Sequence, residues 1–155
     1  MLPLWLQALQ ALAVPVIAAV GAWVAVQQMV IARVKLQHDL YDRRYAVFDA
    51  VRTFLNEAVR NQVVSQETCR TFALKTADAE FLFDDGLAAY LKEMREHAFK
   101  AQALYITMQQ MGPGDQKDAA LRAASVHTTW LIDQIDGLAV GFRPFLMLEK
   151  RERRA

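Results

Sequence analysis

The sequence predicts an all-α protein: an N-terminal transmembrane helix continuous with the first helix of an antiparallel four-helix cytoplasmic bundle. Three observations lead there. No Asp, Glu, Lys, Arg or His occurs from Met1 to Ala32, so all 18 basic and all 17 acidic residues lie from Arg33 onward. No proline or glycine interrupts the chain between Ala22 and Gln62, where the apolar segment passes into the charged one. Beyond Arg33 apolar residues recur at spacings of three and four, and no segment alternates with the period of two that a strand needs. The expected division is a membrane anchor at 1–33, a helical cytoplasmic domain at 34–148 and a basic tail at 149–155.

The anchor comes first. A spanning helix needs about 20 apolar residues, and Leu4 to Ile31 supplies more. Trp5 suits the headgroup belt, and lipid-embedded helices tolerate a proline such as Pro15. A cleaved signal peptide requires a basic leading region and a short apolar stretch; here no Lys or Arg precedes the run. Arg33, Lys35, Arg43 and Arg44 flank its C-terminal end. The positive-inside rule therefore expects the N-terminus outside and the domain in the cytoplasm, attached to the inner membrane.

A seam of small residues runs along this helix. Ala8, Ala11, Pro15, Ala18, Ala22 and Ala25 alternate by three and four, and Gly21 with Ala25 adds a second small pair. Helices in lipid associate through close backbone approach across such residues. Two readings stand: alanine is common in spans, or this face docks on a second copy or another membrane protein.

The first cytoplasmic helix continues from the anchor. Leu36, Leu40, Tyr41, Tyr45, Phe48, Val51, Leu55 and Val59 follow helical spacing while charges fill the other faces. Ser65 is the expected N-cap of a second helix from Gln66 to about Phe81, with Glu67 in its first turn and Cys69, Phe72, Ala73 and Thr76 facing inward. Asp84 or Asp85 in "FDDG" caps a third helix bearing Leu87, Leu91, Met94, Ala98, Ala101, Tyr105 and Met108. "MGPGD" breaks the chain, and Asp115 is expected to cap a fourth helix reaching about Leu148. Short connections favour antiparallel neighbours.

The close of the chain, "GFRPFLMLEKRERR", mixes aromatic and basic residues, with Pro144 expected to kink or end the helix. Either Phe142 to Leu148 caps the bundle core, or Phe142 and Phe145 dip into the headgroup region. In the second case Arg33, Lys35, Arg143, Lys150 and Arg151 meet anionic lipid.

Catalytic chemistry finds no support. There is no glycine-rich phosphate loop, no CxxC and no HExxH. Glu93 and His97 lie one turn apart, but the repeated Glu-x-x-His of di-metal bundles is absent. His38 and His127 read as ordinary surface residues. Cys69 sits on an apolar face as a buried, inert thiol, and a single cysteine forms no internal disulfide. Met94, Met108 and Met111 read as core filling. The expectation is no enzyme, no cofactor and no metal. A net charge of +1 lacks the basic excess of a nucleic-acid binder.

The stretches "YDRRYAVFDAVRTFL", "AEFLFDDGLAAYL" and "FRPFLML" resemble those of small single-span bacterial membrane proteins with helical cytoplasmic domains of unknown function. That resemblance implies the architecture and no activity. The functional expectation is a membrane-anchored interaction or assembly protein, self-associating or docking on a larger membrane complex. The rivals are a sensing module whose continuous helix carries a shift between anchor and bundle, and an enzyme whose site forms only between subunits.

Overall fold

The structure is a computed structural model that describes the backbone of residues 4–147 and the side chains of residues 15–147. Among these residues every regular element is a helix. The chain divides into two compact units, Met1–Asp39 and Leu40–Ala155, and each is described by itself. The expected boundary at Arg33 thus falls six residues before Asp39, the last residue of the first unit. The tail at 149–155 lies outside the described residues.

Helix α1 spans Leu4–Asn61 and retains helical backbone through Pro15 and across the boundary at Asp39. Within the first unit the described side chains of α1 are not covered by other parts of the protein. Every described side chain from residue 15 to residue 39 is exposed.

In the second unit α1 turns amphipathic. It buries Val47, Val51, Phe54, Leu55 and Ala58. It ends where Gln62 enters the left-handed region at φ 52° and donates its N–H to the Ala58 carbonyl at 2.9 Å.

Helix α2 (Gln66–Lys75) starts as expected: the Ser65 hydroxyl accepts from the Thr68 N–H at 3.1 Å. It does not run to Phe81. The chain turns at Thr76–Asp78 and resumes as the short α3 (Ala79–Leu82). At the turn the carbonyl oxygen of buried Thr76 accepts from Arg95, which lies on a later helix, at 2.8 Å and from the Ala79 N–H at 3.2 Å. The Thr76 hydroxyl donates back to the Phe72 carbonyl, a bond that bends helices.

Asp84 caps α4 (Asp85–Gln110), accepting the Leu87 N–H at 2.9 Å. The next connection corrects one expectation. Gly114, at φ 151°, is the N-cap of α5 (Asp115–Asp133), and Asp115 is its first helical residue. A positive φ of that size suits glycine alone. Asp115 and Asp118 still lie in the first turn, where a carboxylate favours the helix dipole.

The predicted fourth helix is also divided. It stops at Asp133 and restarts as α6 (Ile135–Leu146). Gln134 makes the joint: its side-chain amide donates to the Trp130 carbonyl at 2.8 Å, while its backbone N–H turns to Leu131 at 3.2 Å. Pro144 falls in the last turn of α6, which ends two residues later.

Cross-helix contacts define an antiparallel four-limbed bundle: α1, α2–α3, α4 and α5–α6. Along α1 and α2–α3, Glu57 meets Thr68, Phe54 meets Phe72 and Arg44 meets Leu82, so one limb rises as the other falls. Along α4 and α5–α6, His97 meets His127 and Tyr90 meets Gln134. The core is apolar and continuous. Phe54 and Phe72 stack at 4.2 Å, and Phe48 and Phe83 direct edge contacts at Phe142 from 5.3 Å each. A buried Phe or Leu contributes about 1.5–3 kcal/mol relative to exposure.

Candidate functional site

Three surfaces are candidates for a functional role. The first is α1 within unit one. Ala18, Ala22 and Ala25 share one face by helical spacing, with Gly21 beside them, and all four are exposed. A Cβ on Gly21 would meet nothing within 4 Å. Ala8 and Ala11 belong to the helix, but their side chains lie outside the described residues. Around the seam stand exposed Ile17, Val20, Trp23, Val26 and Ile31. Exposed apolar surface continuous over several turns marks a partner or a lipid environment. The helix is long and apolar enough to cross a membrane. Arg33 and Lys35 follow, both exposed.

The second surface is the end of the bundle where α1 enters the second unit. Here the structure corrects one residue. Phe142 is wholly buried between Phe48 and Phe83 and has no face left for lipid. Its position in α6 turns it inward, where a ring that size fills the core. Phe145 is half-buried, packs edge-on against Phe83 at 5.3 Å and carries the Arg44 guanidinium 5.7 Å above its ring. Arg143 is exposed; Lys150 and Arg151 lie outside the described residues. The sequence reasoning missed Phe81, which is 79% exposed, and the role of Arg44, whose Nε donates to the Leu82 carbonyl at 2.9 Å. Helical spacing within "FLF" held the signal for Phe81, since its three large residues cannot share one face. Arg43, Ala46, Lys75, Asp78 and Phe81 border a cleft of about 530 Å³ at this end.

The third surface is a shallow groove between α4 and α6, about 500 Å³, paved by Gly86, Gly137 and Gly141 and flanked by Tyr90, Val140 and Phe145. The Tyr90 hydroxyl donates to Gln134 Oε1 at 3.1 Å. Burial, and then the Glu93 carboxylate, push the Tyr90 pKa upward.

The isolated chemical groups are accounted for. Cys69 is buried, its thiol donates to the Ala98 carbonyl at 3.5 Å, and burial pushes its pKa up to about 11. Among the described residues no group of three or more His, Cys, Asp or Glu is placed to hold a metal ion. No buried side-chain polar atom among them lacks a hydrogen-bond partner.

One constellation was not legible. His97 faces His127, Nδ1 to Nδ1 at 3.1 Å, and stacks on Trp130 at 4.0 Å. Burial lowers the His97 pKa most. His127 and Lys100 also lower it, while Glu93 and Glu96 act the other way.

Comparison with known protein families, with curated proteins and with solved structures gave no match.

Proposed function

We propose that the protein is a membrane-anchored helical interaction protein of the bacterial inner membrane. Its α1 spans the bilayer once, N-terminus outside, and packs through the Ala18–Ala22–Ala25 face against a second copy or another membrane protein. The bundle lies in the cytoplasm. The observation that carries this reading is the first unit: an apolar helix whose described residues are exposed on every face, with small residues aligned on one of them. A helix apolar all round is suited to lipid, and a small-residue face suits close helix pairing within it.

The test has two parts. Full-length protein should remain in membranes after carbonate extraction, and protease added to sealed inner-membrane vesicles of known orientation should cut the bundle only from the cytoplasmic side. A native mass spectrum from mild detergent should then show a defined oligomer or complex that Ala22→Leu dissociates. Release by carbonate refutes the anchor. A monomeric spectrum unaffected by Ala22→Leu refutes the packing face.

A second reading draws on the unbroken helical backbone at Asp39–Leu40: a sensing module in which α1 carries a shift from one unit to the other. Inserting three or four residues near Val34 would alter output and leave assembly intact.

A further inference from the structure

His97 and His127 stand on different helices and meet with their Nδ1 atoms 3.1 Å apart. At that distance only one of the two nitrogens can carry the hydrogen between them. With both rings neutral, one donates and the other accepts. With one added proton one ring can still donate to the other, and the bond persists. With a second, two N–H groups point at each other and two positive charges sit in contact.

The surroundings of the half-exposed pair act on a charge in both directions. The Trp130 ring lies 4.0 Å from His97, tilted by 21°, where an aromatic face attracts a cation. Glu93 and Glu96 on α4 favour a charge at His97; Lys100 on the same helix, His127 across the seam and burial oppose it. On α5 the residues one turn to either side of His127 are Ala123, Ala124, Trp130 and Leu131, none of them charged. Beneath the pair, Met94 and Ala98 of α4 and Leu131 of α5 are buried in the core.

We propose that His97 and His127 form a one-proton latch across the α4–α5 seam: it stays closed with zero or one bound proton and opens on binding the second. Acidification on the side of the membrane that holds the bundle would loosen α4 from α5. The sign follows from linkage. The folded His97 pKa is lowered from 6.5, so the unfolded chain takes the proton more readily. The contribution to stability is intact above pH 6.5 and is lost as pH falls below it.

Full-length protein in mild detergent carrying Trp5→Phe and Trp23→Phe keeps Trp130 as its one tryptophan. Its fluorescence, quenched by a protonated stacked histidine, is followed from about pH 8 to about pH 4, the range in which histidine titrates. Two steps at least one pH unit apart are expected, as for coupled sites. The lower step should coincide with a tenfold or greater acceleration of hydrogen exchange in 94–101 and 124–131, after correction for intrinsic pH dependence. In His127→Gln a single step should remain, at higher pH than the lower step of the parent, and the acid-induced exchange should vanish. In His97→Gln the quenching step should be lost. A single step near the ordinary histidine range in the parent overturns the latch. So does acid-induced exchange that survives in both variants.

Discussion

Replacing Phe142 by alanine separates a core aromatic from a lipid-seeking one. The ring is wholly buried and is met edge-on by Phe48 and Phe83, each with centroids at 5.3 Å. Truncating a buried Phe to Ala costs about 3–5 kcal/mol in transfer and cavity terms. An edge-to-face pair adds about 0.5–1.5 kcal/mol beyond its area. The site is near one end of the bundle, where α6 can settle partly into the void, so about 4 kcal/mol is expected. Each 1.4 kcal/mol is a factor of about ten in an equilibrium, so the slowest amides around Leu91 and Leu131 should exchange about a thousandfold faster. The assay is hydrogen exchange with mass spectrometry on the full chain in detergent. Val140→Ala is the control: it lies on the same helix, is 72% exposed, and should change stability by no more than about 0.5 kcal/mol. If Phe142→Ala leaves exchange within about threefold of the parent and instead weakens association with anionic vesicles, the placement of this ring is wrong.

Two further outcomes follow from single contacts. Asp84→Ala removes the acceptor for the Leu87 N–H and should lower bundle stability by about 1 kcal/mol, read as a shift in the thermal unfolding midpoint; Asp84→Asn should recover most of it. Cys69, pushed up to about 11 by burial, should resist alkylation at pH 8 in the folded protein and react at once when unfolded, since the thiolate is the reactive form. Rapid labelling without loss of fold would contradict that burial. The same shift predicts stability that is intact below pH 9.0 and declines as pH rises toward 11, because the unfolded thiol ionises first.

Local signals in the sequence were sufficient where the structure is decided locally. Ser65 and Asp84 cap their helices because a short polar acceptor precedes each apolar repeat, and both bonds form. The inward face of α4 follows the expected spacing from Leu87 to Ala101; on α1 Val51 and Leu55 turn inward as expected, while Tyr45 and Val59 of the same repeat are exposed. Not every misplaced feature is local. Past the end of α2 at Lys75, the carbonyl of Thr76 accepts from Arg95, on another helix, as well as from the Ala79 N–H. Nothing in the segment Gln66–Phe81 encodes the Arg95 contact. Asp115 has the chemistry of a cap, but Gly114 has the conformation, and backbone geometry decided. Phe142 and Phe145 were equal candidates for lipid in the sequence. Three residues apart on α6, one fills the core and the other is only half-buried against Phe83.

The histidine pair shows why the candidate site was less legible than the fold. His97 and His127 are unremarkable until α4 and α5 are placed antiparallel in one register. That register leaves a trace. Seven residues back from His97 on α4 is Tyr90, and seven forward from His127 on α5 is Gln134; these two also meet, at 3.1 Å. Seven residues are two helical turns, so both polar contacts fall on one stripe of each helix. A purely apolar seam between two helices tolerates sliding by a turn with little change in buried area. A slide of one turn here would part both pairs at once, setting Tyr90 and His97 opposite Trp130 and Ala123 in one direction or Leu138 and Leu131 in the other. Buried polar contacts fix register in coiled coils by the same penalty. Gln134 adds a second constraint, because the amide that bonds Tyr90 through its oxygen bonds the Trp130 carbonyl through its nitrogen and so divides α5 from α6. The residue that breaks the helix therefore also fixes the alignment that brings the two imidazoles together.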